Sequence, residues 1–429
     1  MRREQRLAMV LSAALAASAA PPAISSALNF TPPVLLGQGQ WGAGNFHRLV
    51  ASATNSVLLG HLTSGWWASA DDGASWRHVF NTSSPLSGYG TAAVSGASML
   101  TVDGPRYNVT QGAVTTLTGN RVEQITLLPN GSLTHRSTGR NATWSGMPPV
   151  GCRANVPDSP KACPLRTFGA DVLLLPDGSW LGAFLAYPAT SDPNASEAYS
   201  LYAFKSSDAA DWRFASVVAE RVPDSEEGPS ENALTLLANG SVLAVFRTDG
   251  GDGKPCAGAL PCPGGGGHRM APYAAAVSND GGASWLPPRS LPAAVSGGAL
   301  AVGSVRPRLL TLASGALLLS GGRPSGSVED AYVWLNRAGD AEIWEAHAVS
   351  YSHNALVNAT GKATNATPYD LRVWPFDAGV NNSQWPRETT GYTSLLPTAA
   401  GGAVVLYAQW LHHHGNAWRT YAMGCSGVS

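Results

Sequence analysis

An all-β fold, a six-bladed β-propeller of four-stranded antiparallel blades, is what this sequence predicts, and three observations predict it. The first is composition: 429 residues carry 48 Gly, 30 Pro and 14 Trp, with only 13% charged residues. That turn-rich, low-charge, aromatic-bearing mixture suits strands and hairpins. The second is a repeated turn. Ser69-Ala-Asp71-Asp-Gly73-Ala-Ser75-Trp76 and Ser278-Asn-Asp280-Gly-Gly282-Ala-Ser284-Trp285 both fit Ser-x-Asp-x-Gly-x-Ser-Trp. In such a turn Asp accepts hydrogen bonds from the turn backbone, Gly supplies φ > 0, and Trp packs beneath. The third is spacing. Worn copies end at Trp144 and Trp212, fainter ones at Trp344 and Trp418, so that the six tryptophans are 68, 68, 73, 59 and 74 residues apart. A strand-and-turn repeat of that length is one propeller blade.

Taken from the N-terminus, the chain opens like a secretory signal over residues 1–19. Arg2, Arg3 and Arg6 form a basic start, Leu7 to Ala16 is apolar and too short to span a bilayer, and Ala17-Ser18-Ala19 is a small-residue cleavage site. The expected location is therefore secreted or luminal, with no later transmembrane segment. Sequons at Asn29, Asn81, Asn108, Asn130, Asn141, Asn194, Asn239, Asn358, Asn365 and Asn381 point to glycosylated surface. Cys152 and Cys163 are near neighbours, as are Cys256 and Cys262, and each pair could close a loop, with Cys425 left over. Length alone suggests two or three domains, but propellers run long as single units. Residues 28–429 therefore read as one domain.

Within it, a second signal lies upstream of the tryptophans. It reads Leu-Leu-Pro-Asn130-Gly131-Ser, Leu-Leu-Pro-Asp177-Gly178-Ser, Leu-Leu-Ala-Asn239-Gly240-Ser, Leu-Ala-Ser314-Gly315 and, more loosely, Thr398 to Gly402, with a weak form at Ala53 to Ser56. Asn-Gly and Asp-Gly between apolar runs are hairpin turns. These are assigned to the connection between strands 1 and 2 of each blade, and the tryptophan turns to that between strands 3 and 4. Both connections then share one face of the ring, and the starts of strand 1 and the ends of strand 2 share the other. On that other face the sequence places Arg48, Glu231, Arg247, Arg306, Arg323 and Tyr392.

Arginines, a glutamate and a tyrosine converging on one mouth suit an anionic sugar. Planar guanidinium groups bind a carboxylate bidentately. A phenol is a weak nucleophile at its ordinary pKa and needs an adjacent base, which Glu can supply. A neutral nucleophile also avoids repulsion by a substrate whose reacting carbon carries a carboxylate. At this point the chain resembles the sialidase (neuraminidase) family, six-bladed propellers whose repeated turn is called the Asp-box. The resemblance covers essentially the whole mature chain. It rests on Glu231 leading to Arg247 through an Asn-Gly hairpin, the full Asp-box ending at Trp285, and Tyr392 before Thr-Ser-Leu-Leu. It implies Tyr392 as nucleophile, Glu231 as its base, and Arg48, Arg247 and Arg323 as a carboxylate-binding triad. Arg306 is a further binding candidate. It implies sialylated glycans as substrates and no cofactor or metal.

Two departures stand out. Arg48 is followed by Leu49-Val50 where the family has Arg-Ile-Pro. The loop Leu62-Thr-Ser-Gly65, where the family keeps its acid/base Asp in the first blade, contains no carboxylate. Two readings therefore stay open: a retaining exo-α-sialidase, and a lectin-like propeller that binds sialic acid without hydrolysing it. A net charge of −1 gives no electrostatic case for nucleic acid. His412-His413-His414 lacks the spaced partners of a metal site, and Gly264 to Gly267 precedes no helix that would cradle a phosphate.

Overall fold

The computed structural model describes residues 28–39, 46–62, 65–80, 91–102, 114–150, 165–187, 199–220, 228–248, 273–291, 305–322, 331–349, 352–353, 356, 389–411 and 417–427. The signal segment and both cysteine pairs lie outside them. So do the sequons at Asn81, Asn108, Asn194, Asn358, Asn365 and Asn381. Asn29, Asn130, Asn141 and Asn239 are exposed, and Cys425 is a buried free thiol. No helix among the described residues is long and apolar enough to cross a membrane.

The fold is all-β. After two short strands, β1 (Asn29–Phe30) and β2 (Val34–Gly39), the chain runs in successive antiparallel meanders. The first is β3 (Phe46–Ser52), β4 (Asn55–Leu62), β5 (Gly65–Ser69) and β6 (Arg77–Phe80). The second is β7 (Thr91–Ser95), β8 (Ser98–Val102), β9 (Val114–Leu127) and β10 (Leu133–Val150). The third is β11 (Arg166–Leu174), β12 (Trp180–Ala186), β13 (Ser200–Ser206) and β14 (Asp211–Ala219). The fourth is β15 (Asn232–Leu236), β16 (Val242–Phe246), β17 (Ala274–Ser278) and β18 (Arg289–Ser290). The fifth is β19 (Val305–Thr311), β20 (Leu317–Gly322), β21 (Ala331–Asn336) and β22 (Glu345–Ala348). The last has three strands of its own, β23 (Thr389–Pro397), β24 (Ala403–Leu411) and β25 (Ala417–Ser426), and β1 and β2 pair with β25 to complete it.

Hydrogen bonding divides these meanders into five sheets, not six. The second and third share one eight-stranded sheet, because β10 runs parallel to β14, with Trp144 opposite Trp212. The first strands nevertheless neighbour one another in order, β3 beside β7, β7 beside β11, β11 beside β15, β15 beside β19, β19 beside β23, and β23 beside β3 again.

Strand alternation explains how the meanders pack. Along β16, Val242, Ala244 and Phe246 face the third meander, whereas Leu243 and Val245 face the fifth. Every one of these five side chains is fully buried. A strand sandwiched on both sides reads as an unbroken apolar run and loses the polar alternation of a half-exposed strand. Each buried Val, Leu or Phe of this kind contributes about 1.5–3 kcal/mol by leaving water. Equivalent clusters lie between each pair of successive meanders, and one formed by Leu396, Val404 and Leu406 with Phe46 and Leu58 joins the last to the first.

The turns follow the sequence in four meanders. At Asn239-Gly240 the Leu237 N–H donates to the Ser241 carbonyl, the Gly240 N–H donates back to Leu237, and Gly240 takes φ +84°. In the Asp-box of the first meander, Asp71 accepts from the Ser75 N–H at 2.8 Å and the Ser75 hydroxyl at 2.6 Å, and the Trp76 indole donates to the Gly73 carbonyl. The faint copy ending at Trp344 keeps that last bond, directed to Ala341.

Three expectations differ from the structure. Asn130-Gly131 joins β9 to β10, the third and fourth strands of the second meander; the turn between its first two strands lies at Gly96, which has φ +53°. The stretch Ser137 to Trp144 is accordingly no turn but part of β10, where a bulge between Ser137 and Thr143 absorbs its extra residues. The signal misled because one Asn-Gly hairpin serves either connection equally well. Trp418, likewise, is the second residue of β25, opposite Trp410, and follows the connection from β24, not one between a third and a fourth strand of that meander.

Candidate active site

The hairpin of β15 and β16 builds the site. Its strands pair in register from Leu236 opposite Val242 to Asn232 opposite Phe246. One step further, at the end away from the turn, the Arg247 N–H donates to the Glu231 carbonyl at 2.9 Å and the Ser230 N–H donates to the Arg247 carbonyl at 3.0 Å. Glu231 and Arg247 are thereby fixed side by side, and both are buried, 3% and 5% exposed. Their side chains form an ion pair, Arg247 Nη1 to Glu231 Oε2, at 3.3 Å.

Two other meanders complete the arrangement. The Tyr392 hydroxyl, on β23, donates to Glu231 Oε1 at 2.6 Å. The Arg306 N–H, on β19, donates to Glu231 Oε2 at 3.0 Å. The carboxylate thus takes one phenol, one backbone N–H and one guanidinium from three different segments. Burial, followed by the charge of Glu231, pushes the Tyr392 phenol well above its ordinary pKa; Arg247 and Arg306 oppose this without cancelling it. Tyr392 is therefore a neutral donor at physiological pH. It becomes a nucleophile only by giving its proton to the carboxylate as it attacks. Burial first, and the neighbouring Arg308 cation second, draw the Arg306 guanidinium below its ordinary pKa. It remains a cation at neutral pH.

The structure brings together Tyr392, Glu231, Arg247 and Arg306. It does not bring Arg48. That guanidinium lies at the turn end of β3, where it donates to the Pro397 carbonyl and, at 2.7 Å, to the Ser56 hydroxyl, and pairs with Asp72 at 3.2 Å. Asp72 also accepts from the Ala399 N–H at 2.9 Å. Arg48 therefore ties the last meander to the first. The reason is position: Arg48 is two residues inside the strand and points toward the turn, not the mouth. Arg323 lies outside the described residues. So does the His412–His414 run, and among the described residues no group of three or more His, Cys, Asp or Glu side chains could hold a metal ion.

Three neighbours were not singled out from the sequence. Asp171, on β11, pairs with Arg308 of β19 at 3.6 Å and accepts from the Leu234 N–H at 2.9 Å. Burial raises the Asp171 pKa despite Arg308 and the Leu234 and Val172 N–H groups. His47, on β3, is held neutral with a pKa of about 3, by burial and by the charges of Arg308 and Arg306. His47, Asp171 and Arg308 face an axial cavity of about 600 Å³, lined by residues from the first strand of every meander. Arg308 stands two residues after Arg306, but β19 slips register between Val305 and Arg308, so simple alternation could not have placed it. Asp171 and His47 carry no motif and meet the others only through the ring.

No family model and no curated protein matches the chain. Among solved structures it is similar to a protein of unknown function from Dyadobacter fermentans, 13% identical, with a TM-score of 0.50 over 93% of this chain and 99% of that one. It is also similar to a mutant of Trypanosoma rangeli sialidase displaying trans-sialidase activity, 12% identical, with a TM-score of 0.47. That match covers 89% of this chain and 54% of the other, so the chain spans about half of that protein's length. A third likeness is to a Penicillium chrysogenum alpha-L-arabinanase complexed with arabinobiose, 13% identical, with a TM-score of 0.48 over 93% of this chain and 99% of that one. At such identities a likeness speaks to the fold alone.

Proposed function

We propose that the chain is a six-bladed propeller and a retaining exo-α-sialidase, a secreted or luminal glycoside hydrolase that removes a terminal sialic or related nonulosonic acid from glycoconjugates. The observation that carries the reading is the 2.6 Å hydrogen bond from the Tyr392 hydroxyl to Glu231, set between the Arg247 and Arg306 cations. A tyrosine nucleophile is the exception among glycosidases, and it fits a substrate whose anomeric carbon bears a carboxylate. Arg247 and Arg306, with Arg323 as a further candidate, would hold that carboxylate. The six-bladed reading draws on the cyclic order of the first strands and on the apolar clusters between successive meanders.

In the first step the phenol oxygen bonds to the anomeric carbon, its proton passes to Glu231, and the glycosidic bond breaks with both electrons going to the leaving oxygen. In the second, water displaces the tyrosyl oxygen, which recovers the proton from Glu231, while the proton that water gives up passes to solvent and balances the oxyanion released in the first step. The first-blade loop from Leu62 to Gly65 has no carboxylate to protonate the leaving oxygen. A missing general acid costs about 10²–10⁴-fold. Aryl sialosides, which need little protonation, should therefore be cleaved far better than alkyl ones.

The test is release of 4-methylumbelliferone from its α-sialoside, with Tyr392→Phe as control. Turnover by wild type that the variant lacks supports hydrolysis. Wild-type turnover no higher than the variant's, with free sialic acid still bound in calorimetry, replaces the hydrolase by the lectin-like reading, which the absent acid favours. Neither turnover nor binding removes both.

A further inference from the structure

The side chain of Glu231 has a wall behind it that is made of backbone. Strand β11 slips register between Arg166 and Asp171. Within that irregularity Gly169 takes φ +71°, and a Cβ on it would stand 2.7 Å from Glu231 Cγ and 3.1 Å from Glu231 Cβ. Real Cβ atoms essentially never approach a neighbour to 2.7 Å, a contact of 3.1 Å is tighter than nearly all that occur, and both residues are buried. Nor is the wall free to retreat. On one side the Thr91 hydroxyl of β7 donates to the Ala170 carbonyl at 2.8 Å. On the other, the Asp171 N–H donates to the Asn232 side-chain oxygen at 3.1 Å, and the Asn232 amide donates onward to the Ala183 carbonyl at 3.1 Å. Asn232 is the residue after Glu231, so the same clamp that holds the bulge also holds the backbone carrying the carboxylate.

We propose that Gly169 is a positioning residue: the missing side chain at the β11 bulge sets where the Glu231 carboxylate lies relative to the Tyr392 hydroxyl. The proposal rests on the reading of Glu231 and Tyr392 as base and nucleophile. A methyl group at position 169 forces the Glu231 side chain out of its place, since the bulge is pinned on both sides. The carboxylate then loses its line to the phenol while Arg247 and Arg306 remain to bind substrate. Misplacing a catalytic group by about 1 Å costs on the order of 10²-fold in rate.

The design is Gly169→Ala against Gly178→Ala. Gly178 has φ +82° in the β11–β12 turn, with nothing within 4 Å of its virtual Cβ. Both substitutions therefore strain the backbone alike, and only one meets Glu231. On the 4-methylumbelliferyl sialoside, Gly169→Ala is expected to lose about 10²-fold in kcat with KM nearly unchanged, and to shift the acid limb of the pH profile. Gly178→Ala retains wild-type kcat and profile. A second arm needs no activity: the loss in urea midpoint caused by Gly169→Ala is measured in wild type and in Glu231→Ala. The loss should shrink in the second background, because the 2.7 Å clash with Cγ is gone and only the milder 3.1 Å approach to Cβ remains. A Gly169→Ala protein that folds only together with Glu231→Ala gives the same answer. Equal losses in both backgrounds, failure to fold in both, or full kcat in Gly169→Ala overturn the proposal. An inactive wild type that still shows the coupling withdraws the hydrolytic reading and leaves Gly169 as the residue that places the carboxylate.

Discussion

Asp280 and Asp171 are both aspartates of strand-built meanders, and their surroundings push them in opposite directions. Asp280 sits in the Asp-box turn. The Ser284 hydroxyl and N–H and the Ser278 hydroxyl, at 2.5–2.8 Å, hold its carboxyl down at about 2. Every one of those partners lies within four residues. Asp171 faces the axis. Burial raises its pKa, and its partners Arg308 and Leu234 come from two other meanders. The difference separates two kinds of carboxylate in one fold. At the turn end, local hydrogen bonds stabilise the anion in water and shape the chain. At the open end and along the axis, distant segments keep charges buried, where they are available for chemistry.

The largest effects should fall at the open end. Tyr392→Phe removes the oxygen that forms the intermediate, and Glu231→Gln removes its base, so kcat on the aryl sialoside should drop by about 10²–10⁴-fold in the latter. Tyr392→Phe should move the urea midpoint little, whereas Glu231→Gln, which leaves the buried Arg247 without its counter-charge, should lower it with the protein still folded. Loss of activity with an unfolded protein would break the comparison, because it would make the pair structural. Arg247→Ala leaves Glu231 short of its guanidinium in a buried setting. It should cost about 3–5 kcal/mol in denaturant unfolding and raise KM.

Arg48 sharpens the contrast. Arg48→Ala deletes charge-assisted bonds to Pro397, Ser56 and Asp72 at the turn end. A stability loss of about 1.5–3 kcal/mol is expected, with KM for the sialoside unchanged. A raised KM with undiminished stability would return Arg48 to the substrate. The smallest effect is the pH dependence of the turns. Burial opposes ionisation of Asp208, but the Asp211 and Ala210 N–H groups, Arg140 and Ser206 outweigh it, and its carboxyl is held at about 2, like that of Asp280. Both folded-state values lie below the ordinary carboxylate value of about 4. Their stabilisation is therefore complete above about pH 4 and is lost as pH falls toward about 2. Thermal unfolding across that window should show the loss, and Asp208→Asn with Asp280→Asn should flatten it by a few degrees.

How much was legible follows the same division. The hairpin at Asn239-Gly240 and the Asp-boxes at Asp71 and Asp280 are written in contiguous residues, so their hydrogen bonds could be assigned from sequence. The meeting of Glu231, Arg247 and Tyr392 was legible at second hand, because topology places strand ends on one side. The second meander was misread, since the Gly131 turn has the same chemistry whichever strands it joins. Arg48 was misplaced because distance along a strand, not strand identity, decides which end a long side chain reaches. Nothing in one dimension marks Gly169, whose meaning appears only when a neighbouring strand lays Glu231 against it.

The pairing of β1 and β2 with β25 has a consequence for synthesis. Asn29 lies opposite Ser426 and Phe30 opposite Cys425, so the ends of the described chain share one sheet. Residues made early must wait for almost the entire polypeptide to emerge before they find partners, and a contact of that sequence separation forms slowly. Until β25 is in place, Val405 and Tyr407 lack the strand that pairs beside them, and Tyr421 and Met423 are missing from the cluster that the last meander shares with the fifth. A chain stalled short of β25 would leave the outer edge of β24 unpaired, a ready aggregation edge, so completion of the last sheet waits on that one strand.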